Sequence, residues 1–174
     1  MSPRTLVALR AAAADPDVVQ RYWSHLRKPN VTGECWLLTG AISGKGHGRF
    51  SIGDHYSTTT TGQRRRTTIV VIAHRFGYAT RYGVNALLDV PILGHSCDNP
   101  LCQNPAPWRE SNARLNGIEY SRRRSGIRSP LADLRGARER SREIRDAARD
   151  GADVAAAVLA GVRAVHRDQT ALFD

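Results

Sequence analysis

Residues 94–116, GHSCDNPLCQNPAPWRESNARLN, gather the side chains of this chain best equipped for chemistry. His95 is followed at +2 by Cys97, at +7 by Cys102, at +9 by Asn104 and at +21 by Asn116. Two cysteines separated by four residues can grip one soft metal ion from a tight turn. Histidine is the side chain best matched to general-base work near neutral pH. The carboxamide oxygen of asparagine is a hard ligand of the kind magnesium accepts. One segment therefore offers a soft metal grip and, beside it, the parts of a metal-assisted hydrolytic site.

The rest of the chain must hold that segment and bring it a substrate. Its 174 residues are enough for one domain with appendages, or one domain and a small second one. Net charge is +10, from 26 Lys+Arg against 16 Asp+Glu, and every cation except Lys28 and Lys45 is arginine. Guanidinium forks match phosphate oxygens, so this balance favours a nucleic-acid partner over a merely solvated basic surface. No apolar run reaches membrane-spanning length and the N-terminus lacks a signal-peptide core, so an intracellular location is expected. Thiols stay reduced there, and an odd cysteine count points to metal before disulfide.

Residues 1–14 are alanine-rich and weakly patterned, an arm that frays or a short helix. Asp15-Pro16 reads as an N-cap and first helical residue, predicting a helix from Pro16 to about Arg27 with Val19, Tyr22, Trp23 and Leu26 on its core stripe. From Cys35 the pattern changes to strands. CWLLT and GRFSI flank the glycine-rich AISGKGHG, a hairpin signal, and TTIVVIA is the strongest strand. The intervening DHYSTTTTGQRRRT is expected to be a polar loop, with Arg64, Arg65 and Arg66 as DNA contacts. AHRFGYATRYG predicts a helix closed by Gly83.

The pattern H-x-C-x4-C-x-N-P, with an asparagine on a helix that begins about ten residues later, resembles the ββα-metal nucleases. It is most similar to the His-Cys box homing endonucleases and to the related HNH endonucleases of phages and introns. ECWLLTGAISGKGHGRF and AHRFGYATRYG resemble the elements that precede the motif in those phage proteins, so the likeness covers roughly Gly33 to Tyr120. It implies an α+β fold, with a ββα-metal core carrying β-hairpins between an N-terminal helix and a C-terminal helical region. The implied boundaries are 1–30 for the arm and helix, 31–121 for the nuclease, 122–168 for a basic linker and helices, and 169–174 for a tail.

The resemblance also assigns roles. His95 aligns with the general base and Asn116 with the ligand of a single catalytic Mg²⁺ or other divalent ion, while Asn104 orients the motif by hydrogen bonding. Cys35 joins Cys97 and Cys102 on one structural Zn²⁺. The family's fourth zinc ligand falls at Pro107, which cannot bind, so His47, His74 or water completes the site, or the zinc is weak or absent. The acid that precedes the base in many HNH enzymes is here Gly94, a gap that favours the His-Cys box branch. Double-stranded DNA is the implied substrate, contacted by Arg49, Arg64, Arg65, Arg66, Arg75, Arg122, Arg123 and Arg124. A DNA-binding protein of the same fold that no longer cuts is the alternative, and a zinc-supported RNA-binding or interaction module the third reading.

Beyond the basic tract, LADLRGARERSREIRDAARDG and ADVAAAVLAGVRAVHR read as two helices joined at Asp150-Gly151. They suit a hairpin packed on the nuclease or on a second copy better than a helix-turn-helix reader, because the second helix is mostly alanine and valine. The terminal QTALFD, with Gln169, Leu172 and Phe173, resembles the peptide by which bacterial polymerases and repair factors dock on the sliding clamp. Cytoplasmic action at the nucleoid of a bacterial host is the corresponding expectation.

Overall fold

The computed structural model describes residues 1–28, 35–126 and 129–161. The fold is α+β, with helices around three separate two-stranded antiparallel sheets. Ser2 caps the first helix, α1 (Pro3–Ala14), by accepting from the Thr5 N–H. With Pro3 in its first turn and a run of alanines behind it, the segment has every local reason to be helical, and it buries Leu9 and Ala12. Asp15 caps α2 (Pro16–Ser24). That helix stops short of Arg27 because Leu26–Arg27 form β1, paired with β2 (Leu37–Leu38).

Two sequence expectations need correction here. CWLLT and GRFSI do not form a hairpin with each other: β2 pairs with β1, Leu37 bridges to Cys102, and the glycine-rich loop closes on itself through an Ile42–Gly48 bridge. DHYSTTTTGQRRRT is not a loop either. It forms the outer half of a long ribbon, β3 (Arg49–Thr58) against β4 (Arg64–Ile72), with its turn at residues 59–63. Cross-strand pairs hold the polar end: Arg66 meets Asp54 at 2.7 Å, and Arg64 lies 4.3 Å from the centre of the Tyr56 ring. The ribbon's base, with Phe50 and Ile52, enters the core.

After β4 the chain turns directly into α3 (Ala73–Tyr82), closed by Gly83 at φ 94°. A short α4 (Val84–Leu88) leads to β5 (Ile92–His95). β5 pairs with β6 (Trp108–Ser111), and α5 (Ala113–Arg124) follows at once, capped by Asn112. The main core gathers Leu9, Tyr22, Phe50, Phe76, Leu87 and Leu93 from α1, α2, β3, α3, α4 and β5. Tyr22 is fully buried and its hydroxyl donates to Gln103 Oε1 at 2.9 Å, which ties α2 to the loop carrying the cysteines.

A second, smaller core joins that loop to the C-terminal helices. Leu37 and Leu101 pack with Ile144 of α6 (Gly136–Asp150) and Val154 of α7 (Val154–Leu159), and Cys35 lies against the cluster. Gly151 ends α6 in the left-handed conformation that glycine favours. The two helices thus pack on the body of the protein. A Pro130–Ala132 turn of 3-10 helix precedes α6. Because Ile144 is completely buried in so small a core, Ile144→Ala should destabilise the protein by about 2–5 kcal/mol in urea unfolding. An unchanged midpoint would show that the C-terminal helices are not part of the folded unit.

Candidate active site and metal centre

Cys97 and Cys102 sit in the irregular segment between β5 and β6, and Cys35 comes from just before β2. Their sulfur atoms all lie within 4.8 Å of one another. Tetrahedral thiolate ligands at the usual metal–sulfur distance stand about 3.8 Å apart, so this set fits one soft ion. Three thiols so close cannot all ionise unaided. The hydrogen bonds from Cys102 and then Cys35 draw Cys97 down to about 2, whereas Cys102 is pushed up, first by Cys35. A bound divalent cation removes that conflict. These three cysteines could therefore hold a metal ion.

Neither His47 nor His74 joins the sulfurs. Both belong to a row of imidazoles that ends at His95: His47 and His74 have ring centres 5.8 Å apart, and His74 meets His95 edge to face at 4.5 Å. Pro107 stands next to the cysteine turn, its carbonyl accepting from the Ser96 N–H at 2.8 Å. The fourth position beside the sulfurs is therefore filled by no histidine among the described residues.

His95 is the last residue of β5 and is 8 % exposed. Its Nε2 lies 2.9 Å from the Cys102 carbonyl oxygen. A carbonyl only accepts, so Nε2 carries the proton and Nδ1 keeps its lone pair. Burial pushes the His95 pKa below the ordinary histidine range, against the opposing pull of Cys97 and the Cys102 carbonyl. The metal grip and the imidazole are thus one construction, because Cys102 offers its sulfur to one and its carbonyl to the other.

A cleft of about 600 Å³ opens in front of His95 and includes Asn116 from the first half of α5. Gly94 floors it: a Cβ there would come within 3.7 Å of Asn116 Oδ1 and 3.5 Å of Arg109 Nη2. The acid missing from position 94 would therefore have stood beside Asn116. With glycine at position 94, no side chain stands between that strand and Asn116 Oδ1, a hard oxygen of the kind a hydrated cation accepts. Arg109 pairs with Glu119 through Nη1 at 2.5 Å, while its Nε and Nη2 have no hydrogen-bond partner among the described residues. Asn104 is buried and accepts from the Ala106 N–H at 3.0 Å, shaping the turn after Cys102.

The predicted arginine contacts divide. Arg49, Arg64, Arg65 and Arg66 are exposed along the ribbon, and Arg122 and Arg124 are exposed at the end of α5. Arg123 is at the cleft, bound to Asp98 at 2.8 Å and to the His95 carbonyl at 3.0 Å. Arg75 is directed elsewhere: its guanidinium donates to the carbonyls of Leu87 and Val90, a structural task. Gln169, Leu172 and Phe173 lie outside the described residues.

Several residues of the cleft were not singled out from sequence as parts of the site. Asp98, at φ 50°, contributes a carboxylate whose pKa burial raises, with the Arg123 charge opposing. Lys45 enters from the glycine-rich loop, beside His47, which the sequence offers only as a zinc ligand, and Asp133 and Arg140 come from the C-terminal region. Asp133 is held by Arg135 at 2.7 Å and Arg140 at 3.5 Å. Arg140 is nearly buried, which lowers its pKa, while Asp133 and then the Cys35 and Cys97 sulfurs support its charge. The sequence signal for an interior role was slight, because Arg140 is one of five arginines on α6.

No family model, curated protein or solved structure matches this chain. If the sulfurs hold a metal, elemental analysis of the purified protein should find about one soft divalent ion per chain, and chelation should lower its melting temperature. Pro107→His should tighten that ion, since position 107 adjoins the turn into Cys97. Equal stability with and without chelator would show three thiols packed as small apolar groups.

Proposed function

We propose that this chain is a metal-dependent DNA endonuclease with a ββα-metal core, of the HNH or His-Cys box kind. The observation that supports the reading best is the pairing of His95 and Asn116 in one cleft on a hairpin-plus-helix unit, with Nε2 of His95 spent on the Cys102 carbonyl. That hydrogen bond leaves Nδ1 as the basic nitrogen, in a ring that lines the cleft. The cysteine cluster is then a structural zinc site with three sulfur ligands, contributing folding energy where the loop buries little apolar surface.

In this mechanism Nδ1 of His95 takes a proton from a water molecule as its oxygen attacks phosphorus. The new P–O bond forms as the bond to the 3′-oxygen breaks, leaving a 5′-phosphate and a 3′-hydroxyl that gains its proton from solvent. A divalent cation held at Asn116 would supply Lewis-acid stabilisation of the charge developing on the leaving oxygen. Asn116 would hold that ion, and Arg123 braces the strand end through the His95 carbonyl. The ribbon arginines and those at the end of α5 contact phosphates, which gives affinity with little sequence preference. The terminal QTALFD is the proposed tether to a bacterial sliding clamp, and a homodimer is the proposed assembly.

Supercoiled plasmid incubated with the protein should be nicked or linearised in Mg²⁺ and left intact with chelator. His95→Ala and Asn116→Ala should each abolish cutting while duplex affinity stays near wild type, with removal of the base alone costing roughly 10²–10⁴-fold in rate. Cutting by the His95 variant at wild-type rate would overturn the mechanism. Tight binding without any cutting by the wild type would instead identify a DNA-binding protein of the same fold.

A further inference from the structure

The loop Ser43–Gly48 reads from sequence as a hairpin turn, yet it is held as firmly as a site element. The Ser43 N–H donates to the His47 carbonyl at 2.8 Å, the Gly46 N–H to the Ser43 carbonyl at 3.0 Å, and the His47 N–H to Ser43 Oγ at 3.1 Å. Gly46, at φ 81°, is pressed on α6: a Cβ there would stand 2.5 Å from the Ala137 carbonyl oxygen and 2.7 Å from Ser141 Oγ. Only glycine fits. The loop is therefore clamped between the ribbon's base and the C-terminal helix, and the two side chains flanking Gly46, Lys45 and His47, line the same cleft as His95 and Asn116.

These two side chains have the chemistry of an anion contact. Lys45 is exposed and makes no ion pair among the described residues, so its charge is available to the cleft. Of the other cations there, Arg123 pairs with Asp98 and Arg140 with Asp133, while Arg124 stands exposed at the end of α5. His47 is half-buried at the end of the imidazole row, with His74 behind it. His74 is 3 % exposed with Nδ1 unpartnered among the described residues, so it acts as packing that fixes the ring of His47 on one side and that of His95 on the other. Burial, then the charges of His95 and Lys45, keeps the His47 pKa below the usual histidine range. A neutral imidazole still has one N–H to donate.

We propose that Lys45 and His47 form a second wall of the reactive cleft that grips the non-bridging oxygens of the phosphodiester, Lys45 by charge and His47 by a hydrogen bond that strengthens as negative charge builds up. The inference rests on the endonuclease reading for its catalytic half only, since a phosphate contact can exist without cleavage. It also gives the C-terminal helices a task, because α6 holds the loop in place through the Gly46 contact.

The test measures duplex affinity against salt in Ca²⁺ and single-turnover nicking of supercoiled plasmid in Mg²⁺, for Lys45→Ala, His47→Ala and His47→Gln. Lys45→Ala should reduce the salt slope of log affinity by about 1. His47→Ala should lower affinity by no more than a few-fold but slow nicking by about 10²-fold, the size of a lost transition-state donor, and His47→Gln, which keeps an N–H, should retain most of the rate. A wild type that nicks, alongside variants indistinguishable from it in both readouts, overturns the inference and leaves the endonuclease standing. A wild type that binds with a Lys45-dependent salt slope but never nicks supports the phosphate contact and overturns the endonuclease reading. Equal losses in His47→Gln and His47→Ala, with lowered melting temperatures, would reassign His47 to packing and overturn its half of the proposal.

Discussion

Three sulfur atoms from two distant segments converge to within 4.8 Å, and the geometry of the cleft depends on that convergence. The stretch between β5 and β6 has little regular backbone structure of its own to hold it. Its shape comes from Asn99 and Asn104, whose side chains accept from backbone N–H groups two residues on, and from what Cys97 and Cys102 are tied to. Cys102 bridges to Leu37, so the loop is also a neighbour of β2. The same residue's carbonyl sets the tautomer of His95. Moving Cys102 would therefore move the sulfur grip, the β2 contact and the imidazole together.

Burial and charge are arranged around that point. The main core lies on the side of α1, α2 and α3, and reaches the loop through the buried Tyr22–Gln103 hydrogen bond. The second core lies on the other side and recruits Ile144 and Val154. Between them the cleft collects positive side chains from three regions that are far apart in the chain, the glycine-rich loop, α5 and α6. A surplus of cations destabilises a compact protein by self-repulsion, and here part of it is relieved by specific partners such as Asp54, Asp98, Glu119 and Asp133. Among the described residues, Arg49, Arg64 and Arg65 on the ribbon and Arg122 and Arg124 at the end of α5 are exposed without an ion pair, as is Lys45 at the cleft.

The local elements around the motif were legible in sequence because their signals are local. Asp15-Pro16, the β-branched TTIVVIA run and Gly83 each mark a boundary by backbone chemistry alone, and His95, Cys97, Cys102 and Asn116 stand out by spacing. The ribbon was hidden because its outer half is held by cross-strand pairs, Arg66 with Asp54 and Arg64 with Tyr56, which hydropathy does not display. Arg75 looked like one more phosphate contact, since nothing in its surroundings reveals that carbonyls of Leu87 and Val90 await its guanidinium. The contributions of Lys45, Asp133 and Arg140 to the cleft depend on tertiary contacts between α6 and the loop, and no periodicity reports those.

If one metal-anchored loop aims the general base, cleavage must follow the occupancy of the cysteines even though they touch no reacting atom. The direct measurement is to strip the protein of soft metal, titrate Zn²⁺ back at constant Mg²⁺, and follow plasmid nicking alongside bound zinc. Nicking should rise in proportion to bound zinc, level off near one equivalent per chain, and vanish without Mg²⁺ at every zinc level. Full nicking by the zinc-free protein would contradict the dependence of His95 on the sulfur site.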